Sequence, residues 1–183
     1  QYLLAGLILP TVFATGISSA LAAEHEHQHR EHSAHEHGSA MLNIAVENNS
    51  LYIELESPAM NIVGFEHQPR NEKQIQAVKQ ATNSLKNSAQ QFGLPVAAQC
   101  TASKVKVESP LLHKQQRKDT GEHSEFHASY IFTCKNISAL NKIKVKLFST
   151  FTGMNEIDVQ LISNTGQTTK ELTASNSTLV INP

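Results

Sequence analysis

The stretch "MLNIAVENNSLYIELES", residues 41–57, decides the fold, because apolar and polar side chains alternate at period two on both sides of Asn48-Asn49. A two-residue turn at that dipeptide sets Val46 opposite Leu51, Ile44 opposite Ile53 and Leu42 opposite Leu55, so every apolar pair lands on one face. Asn tolerates the positive φ that such a turn demands. The segment is predicted as a β-hairpin with one side committed to a core.

Moving towards the C-terminus, Ser57-Pro58 offers an N-cap followed by a first-turn proline, and Gly64 is placed to close a short helix over Ala59 to Val63. Residues 71–93 then set Ile75, Val78, Ala81, Leu85, Ala89 and Phe92 at spacings of three and four. With Asn71 as its cap and Gly93 as its end, this predicts one amphipathic helix of about six turns. Pro95 prevents its continuation.

Residues 100–108 and 124–134 read as two strands around a polar loop, and their ends carry the two cysteines, Cys100 and Cys134. Pairing the strands so that the cysteines face each other sets Lys104 against Tyr130 and turns Val105 and Val107 to the polar side. Either a one-residue bulge or a Cys100 just outside the strand reconciles the bridge with the apolar faces. Further on, Ile143, Val145 and Leu147 alternate, as do Ile157, Val159 and Leu161, and Asn164-Thr165-Gly166 turns into a last pair of short strands. The fold class is α+β, a mainly antiparallel sheet with one long amphipathic helix and a short helix packed on it, and one disulfide.

On the N-terminal side, residues 3–22 are apolar and then small, closing on Ala20-Leu21-Ala22. That is the pattern of a secretory signal peptide over 1–22, N-terminally incomplete because the chain starts at Gln1 without a basic region. Cleavage after Ala22 leaves a disordered histidine-rich segment, 23–40, ahead of one domain over 41–183. Export favours a Cys100–Cys134 disulfide over a pair of thiolate ligands, and closing about 35 residues contributes roughly 3–4 kcal/mol in the chain-entropy model. After cleavage no segment of the chain is expected in a membrane.

Lys+Arg (15) and Asp+Glu (16) nearly cancel, and no basic stripe interleaved with aromatics suggests nucleic acid. The ten histidines are the anomaly. Six of them, His25, His27, His29, His32, His35 and His37, stand among Glu24, Glu26, Glu31 and Glu36 at spacings that let two or three imidazoles converge on one ion. Imidazole and carboxylate without thiolate suit Zn²⁺, Cu²⁺ or Ni²⁺, and ligand chemistry alone does not select zinc. A segment that must be ordered on binding holds each ion more weakly than a preformed site, which suits capture. A solvated linker has the same composition.

A second constellation is "GEHSEFHASYIF", residues 121–132, where His123, Glu125 and His127 share one face of a strand. Neighbours two apart lie about 7 Å from each other, so His123 and His127 are too far apart to share one ion on a flat strand. A tetrahedral site needs help from elsewhere. His67 in "GFEHQPR", with Glu66 beside it, is the best candidate, and His113 is another. No HExxH, GxSxG, P-loop or dinucleotide fingerprint is present, so no enzyme is read from the chain.

The blocks "HEHGSAMLNIAVENNSLYIELESPAMNIVGFEHQPR", "HSEFHASYIFTC" and "LFSTFTGMNEIDVQLISNTGQ" resemble the ZrgA-type family of zinc-regulated periplasmic zinc-binding proteins, over nearly everything after the signal peptide. The resemblance implies zinc, a periplasmic location and a role assisting zinc import. Its "GFEH" and "HSEFH" blocks imply an ordered site at His67, His123 and His127, with Glu125 as a further ligand. Such a protein would serve a periplasmic zinc-binding protein or an ABC-type zinc importer. The chain departs from the family in the loop between the cysteine strands, where a second histidine run is common and only His113 and His123 occur. Two other readings stand beside this one: an interaction module or general metal buffer without a transport role, and a hydrolase using an open zinc site.

Overall fold

The computed structural model describes residues 36–113 and 124–182. In chain order the strands and helices begin with β1 (Ser39–Glu47), β2 (Ser50–Pro58), α1 (Ala59–Val63), α2 (Glu72–Lys86), α3 (Ser88–Gln91) and β3 (Phe92–Gly93). They continue with β4 (Cys100–Glu108), β5 (Glu125–Cys134), β6 (Lys142–Val145), α4 (Leu147–Thr150), β7 (Glu156–Ser163), β8 (Gly166–Thr173) and β9 (Thr178–Val180).

β1 and β2 form the hairpin in the register that the alternation predicts, Leu42 to Leu55, Ile44 to Ile53 and Val46 to Leu51. Asn48 takes the positive φ, at 52°. Around this hairpin a six-stranded sheet is built in the order β4-β5-β2-β1-β7-β8. The sheet is mixed, because β7 joins β1 in parallel while the other pairs are antiparallel. A second, three-stranded antiparallel sheet has the order β3-β6-β9.

The disulfide joins Cys100 to Cys134 across β4 and β5, and the register shifts between Ala102 and Lys104. The bulge is therefore the device that reconciles the bridge with the faces: after it, Val105 meets Tyr130 and Val107 meets Ala128. Ser103, the extra residue, donates its hydroxyl to the Ile131 carbonyl at 3.0 Å.

Three local expectations are corrected. Ser57 is not the cap of α1: β2 runs on through Pro58, which is the N-cap, and Ser57 is buried opposite Phe126. Gly64 closes α1 with a φ of 81°, the left-handed conformation that a Cβ disfavours. The helix expected over 71–93 is divided at Asn87, which ends α2 and whose side chain accepts from the Gln90 N–H to start α3. Asn offers its own acceptor to backbone N–H groups and so competes with helix continuation. The break rotates the next turn, leaving Ala89 exposed and burying Ser88 and Gln91, while Phe92 enters β3 opposite Val145. Leu147, aligned with the strand alternation, instead opens α4.

The core lies on one face of the large sheet. Leu42, Ile53, Leu55, Phe126 and Tyr130 are all at most 1% exposed there, and α2 turns Val78, Ala81 and Leu85 inward. Tyr130 donates its hydroxyl to the Leu85 carbonyl at 2.8 Å and meets Phe92 edge-on, which ties α2 and β3 to β5. Burial pushes its phenol pKa well up.

The start of β1 is clamped by Asn61, nearly fully buried in α1. Its Oδ1 accepts from Gly38 N–H at 2.7 Å, and its Nδ2 donates to the Ser39 carbonyl at 2.7 Å. A Cβ at Gly153 would lie 2.8 Å from the Asn61 carbonyl oxygen, so the clamp depends on a glycine there. Among the described residues no helix is long and apolar enough to cross a membrane.

Candidate metal centre

The period-two alternation that buries Leu55 and Phe126 turns Glu56, Glu125 and His127 to the opposite, open face of the sheet. His127 on β5 stands directly across from Glu56 on β2, and Glu125, one step along β5 on the same side, stands across from Pro58. Each of the three offers one ligand atom, and these atoms lie within 4.8 Å of one another. His127 Nε2 and Glu125 Oε2 are 3.0 Å apart. Ligands about 2.0–2.2 Å from a tetrahedral Zn²⁺ stand roughly 3.4 Å from each other, a separation that small side-chain rotations reach from here.

Two carboxylates and one imidazole form an oxygen-rich set suited to Zn²⁺ and other borderline or hard cations. Three protein ligands leave a position for water or an incoming group, the pattern of zinc sites that exchange what they hold. The His127 side chain is 50% exposed and that of Glu125 is 17% exposed, so one edge of the set faces solvent. A groove of about 330 Å³ runs beside it, bounded by Glu54 and Asn43 on one side and by Lys106, Glu108 and Ser129 on the other. Lys106 and Glu108 pair at 2.8 Å, and the ammonium holds the Glu108 carboxyl below its ordinary range.

The register extends this chemistry across the sheet. Glu108, His127, Glu56, Met41, Asp158 and Glu171 form one line through β4, β5, β2, β1, β7 and β8, all on the open face. The next line towards the hairpin turn carries Lys106 and Glu54.

Of the residues expected at an ordered site, Glu125 and His127 are brought together, and Glu56 joins them. His67 follows Gly64 in a loop, stacked on Phe65 with ring centroids 5.2 Å apart and with Nδ1 2.8 Å from the Gln68 carbonyl oxygen. It belongs to no group of three convergent ligands among the described residues, and neither does His113, just after the turn at Pro110–Leu112. Glu66 is in contact with His37, at 3.3 Å. His123, and His25, His27, His29, His32 and His35 of the N-terminal segment, lie outside the described residues. Glu56 escaped the sequence reading because its partnership depends on β2 pairing with β5, two strands separated by three helices and two other strands in the chain. The available signal was Glu54 and Glu56 alternating on the hairpin side opposite Ile53 and Leu55.

No curated protein matches the chain. Residues 34–181 match the model of the ZrgA family of zinc uptake proteins, and the chain belongs to that family.

Proposed function

We propose that this member of a zinc uptake family is a periplasmic zinc-binding protein that captures zinc and assists its import. The observation that carries the proposal is the convergence of Glu56, Glu125 and His127 on the open sheet face, within a chain whose family is defined by zinc uptake. The Cys100–Cys134 bridge fits an oxidising compartment. Zinc is the cargo. The imidazole and two carboxylates hold it, and the exposed edge admits a competing ligand.

In this reading His25, His27, His29, His32, His35 and His37 gather ions, each weakly and exchangeably, and the three-ligand set receives one. The recipient downstream is a periplasmic zinc-binding protein or an ABC-type zinc importer. Both His67 and His123 stay proposed as ligands in their own right, to be tested one at a time. Protons compete with zinc for imidazole and carboxylate, so acid releases the cargo.

Calorimetric titration with zinc tests this on three forms: residues 23–183, the same chain lacking 23–35, and the shortened chain carrying Glu56→Gln and His127→Ala. The expected result is several sites, then one, then none. A shortened chain that binds no zinc removes the ordered site. Absence of submicromolar binding in the full form removes the uptake role.

A further inference from the structure

We propose that Glu108 is an exchangeable fourth ligand of the zinc site and that Lys106 competes with the ion for it, so that this pair closes the site over its cargo and reopens it for release. This rests on the zinc reading above and adds to it the means by which the open position is covered.

The first observation is how Glu108 comes to stand beside the site. The register that starts with Cys100 opposite Cys134 would, if unbroken, set Glu108 opposite Phe126 and turn it to the inner face. Ser103 breaks it: beyond the bulge the register is shifted by one residue, and Glu108 stands directly across from His127 on the open face. Bulges re-aim side chains in this way. His127 is thereby flanked by Glu56 on β2 and by Glu108 on β4. Directly opposed residues have Cβ atoms about 4.5–5.5 Å apart, so a glutamate in either position reaches an ion held at the imidazole.

The second observation is the present partner of Glu108. Its carboxylate is turned along its own strand to Lys106, at 2.8 Å, and is not one of the three convergent ligand atoms. Both side chains of that pair are more than half exposed. An ion pair in such a place contributes little to stability, and its side chains change rotamer on the picosecond to nanosecond scale.

The third is shared space. Glu108, Lys106, Glu56 and His127 line one groove of about 330 Å³, so the carboxylate swings from the ammonium to the ion within it. Zinc with the carboxylates of Glu56 and Glu125 and a neutral imidazole sums to zero charge. Entry of Glu108 displaces one water from the ion, makes the assembly singly negative and leaves the Lys106 ammonium beside it as the counter-charge. No proton or electron moves. A divalent ion attracts the carboxylate more strongly than a single ammonium does, so loading the site closes it. When a recipient's ligand takes the fourth position, Glu108 returns to Lys106 and is kept from recapturing the ion. A ligand with an alternative partner two residues away leaves readily, which suits a cargo site and not a closed structural one.

The test uses residues 23–183 with glutamate side chains enriched in ¹³C, in solutions whose free zinc is fixed by a chelator buffer. The carboxylate carbons of Glu56, Glu108 and Glu125 are followed by NMR, each assigned by its disappearance in the matching Gln variant. Each signal reports its own side chain, so ions held elsewhere in the chain do not enter. All three are expected to move together as zinc rises. Glu108→Gln is expected to raise the free zinc needed to half-shift Glu56 by roughly tenfold, and Lys106→Met to lower it by roughly threefold, as a charge at ligand distance and one about 6 Å away require. A stationary Glu108 beside moving Glu56 and Glu125 overturns the fourth ligand and leaves the zinc reading standing; if none of the three moves, both fall. A Glu108 shift that vanishes in the Lys106→Met chain reports only a broken ion pair and overturns the proposal. Half-shift of Glu56 in that chain at equal or higher free zinc overturns the competition.

Discussion

The two faces of the six-stranded sheet are made by the same strands, residue by residue in alternation, and yet they obey different rules. On the inner face Leu42, Ile53, Leu55, Phe126 and Tyr130 share one buried core with Val78, Ala81 and Leu85 of α2. On the open face Glu54, Glu56, Glu108 and His127 stand where a stable fold has no need of them. Solvent-facing positions tolerate many residue types at little cost in stability, so a concentration of one charge there points to chemistry. The inner face specifies which strands pair. The open face inherits that pairing and obtains from it a set of ligands.

The largest expected departure is on the inner face. Leu55→Ala, at a position 1% exposed, should destabilise the chain by about 2–5 kcal/mol in denaturant unfolding, with zinc stoichiometry unchanged in the protein that remains folded. Loss of binding alongside folded structure would mean the two faces are not separable. Replacing Cys100 and Cys134 together by Ser should cost about 3 kcal/mol by the same measurement, because the bridge closes a loop across a separation of 34 residues.

A smaller loss is expected for Tyr130→Phe, about 1–2 kcal/mol, since the Leu85 carbonyl is left buried without its donor. Its pH dependence has a defined sign. The folded phenol has its pKa raised by burial, whereas the unfolded chain titrates near pH 10. The stabilising contribution is therefore complete below about pH 10 and is lost as pH rises above it, because the unfolded state then binds fewer protons than the native one. Unfolding curves between neutral and strongly alkaline pH should show this decline in the parent chain and a shallower one in the variant.

On the open face, Glu56→Gln should move stability in the absence of metal by less than about 0.5 kcal/mol. The same change should weaken zinc at the ordered site by about tenfold or more, equivalent to roughly 1.4 kcal/mol, measured in the chain lacking residues 23–35. Zinc should then raise the melting temperature of the parent and leave that of the variant nearly where it was, as binding linkage requires. A Glu56→Gln chain that binds zinc as tightly as the parent would remove Glu56 from the ligand set.

How much of this was legible beforehand depends on the range of the interaction. The hairpin over residues 41–57 could be written down in full register because its two halves and the turn at Asn48-Asn49 are contiguous. The bulge beside Cys100 could be narrowed to two options, since the bridge and the apolar faces disagreed by one residue, and Ser103 resolves the disagreement. The division of the 71–93 helix at Asn87 was hidden, because periodicity continues across it and the competing side-chain acceptor acts only locally. Parallel pairing of β1 with β7 was out of reach for another reason: nothing in either strand's alternation names its neighbour. At the site, Glu125 and His127 could be found from a spacing of two, whereas Glu56 could not.

The amino-acid order by itself determined which residues are ligands in kind, which faces are apolar and where the histidines are concentrated, because these follow from local periodicity and side-chain chemistry. The tertiary structure alone decided that a glutamate of β2 meets a glutamate and a histidine of β5, and that their carboxylates belong to one negative surface. Strand pairing is chosen by burial of the inner face over the whole sheet, and each solvent-facing side chain acquires its neighbours as a consequence of that choice.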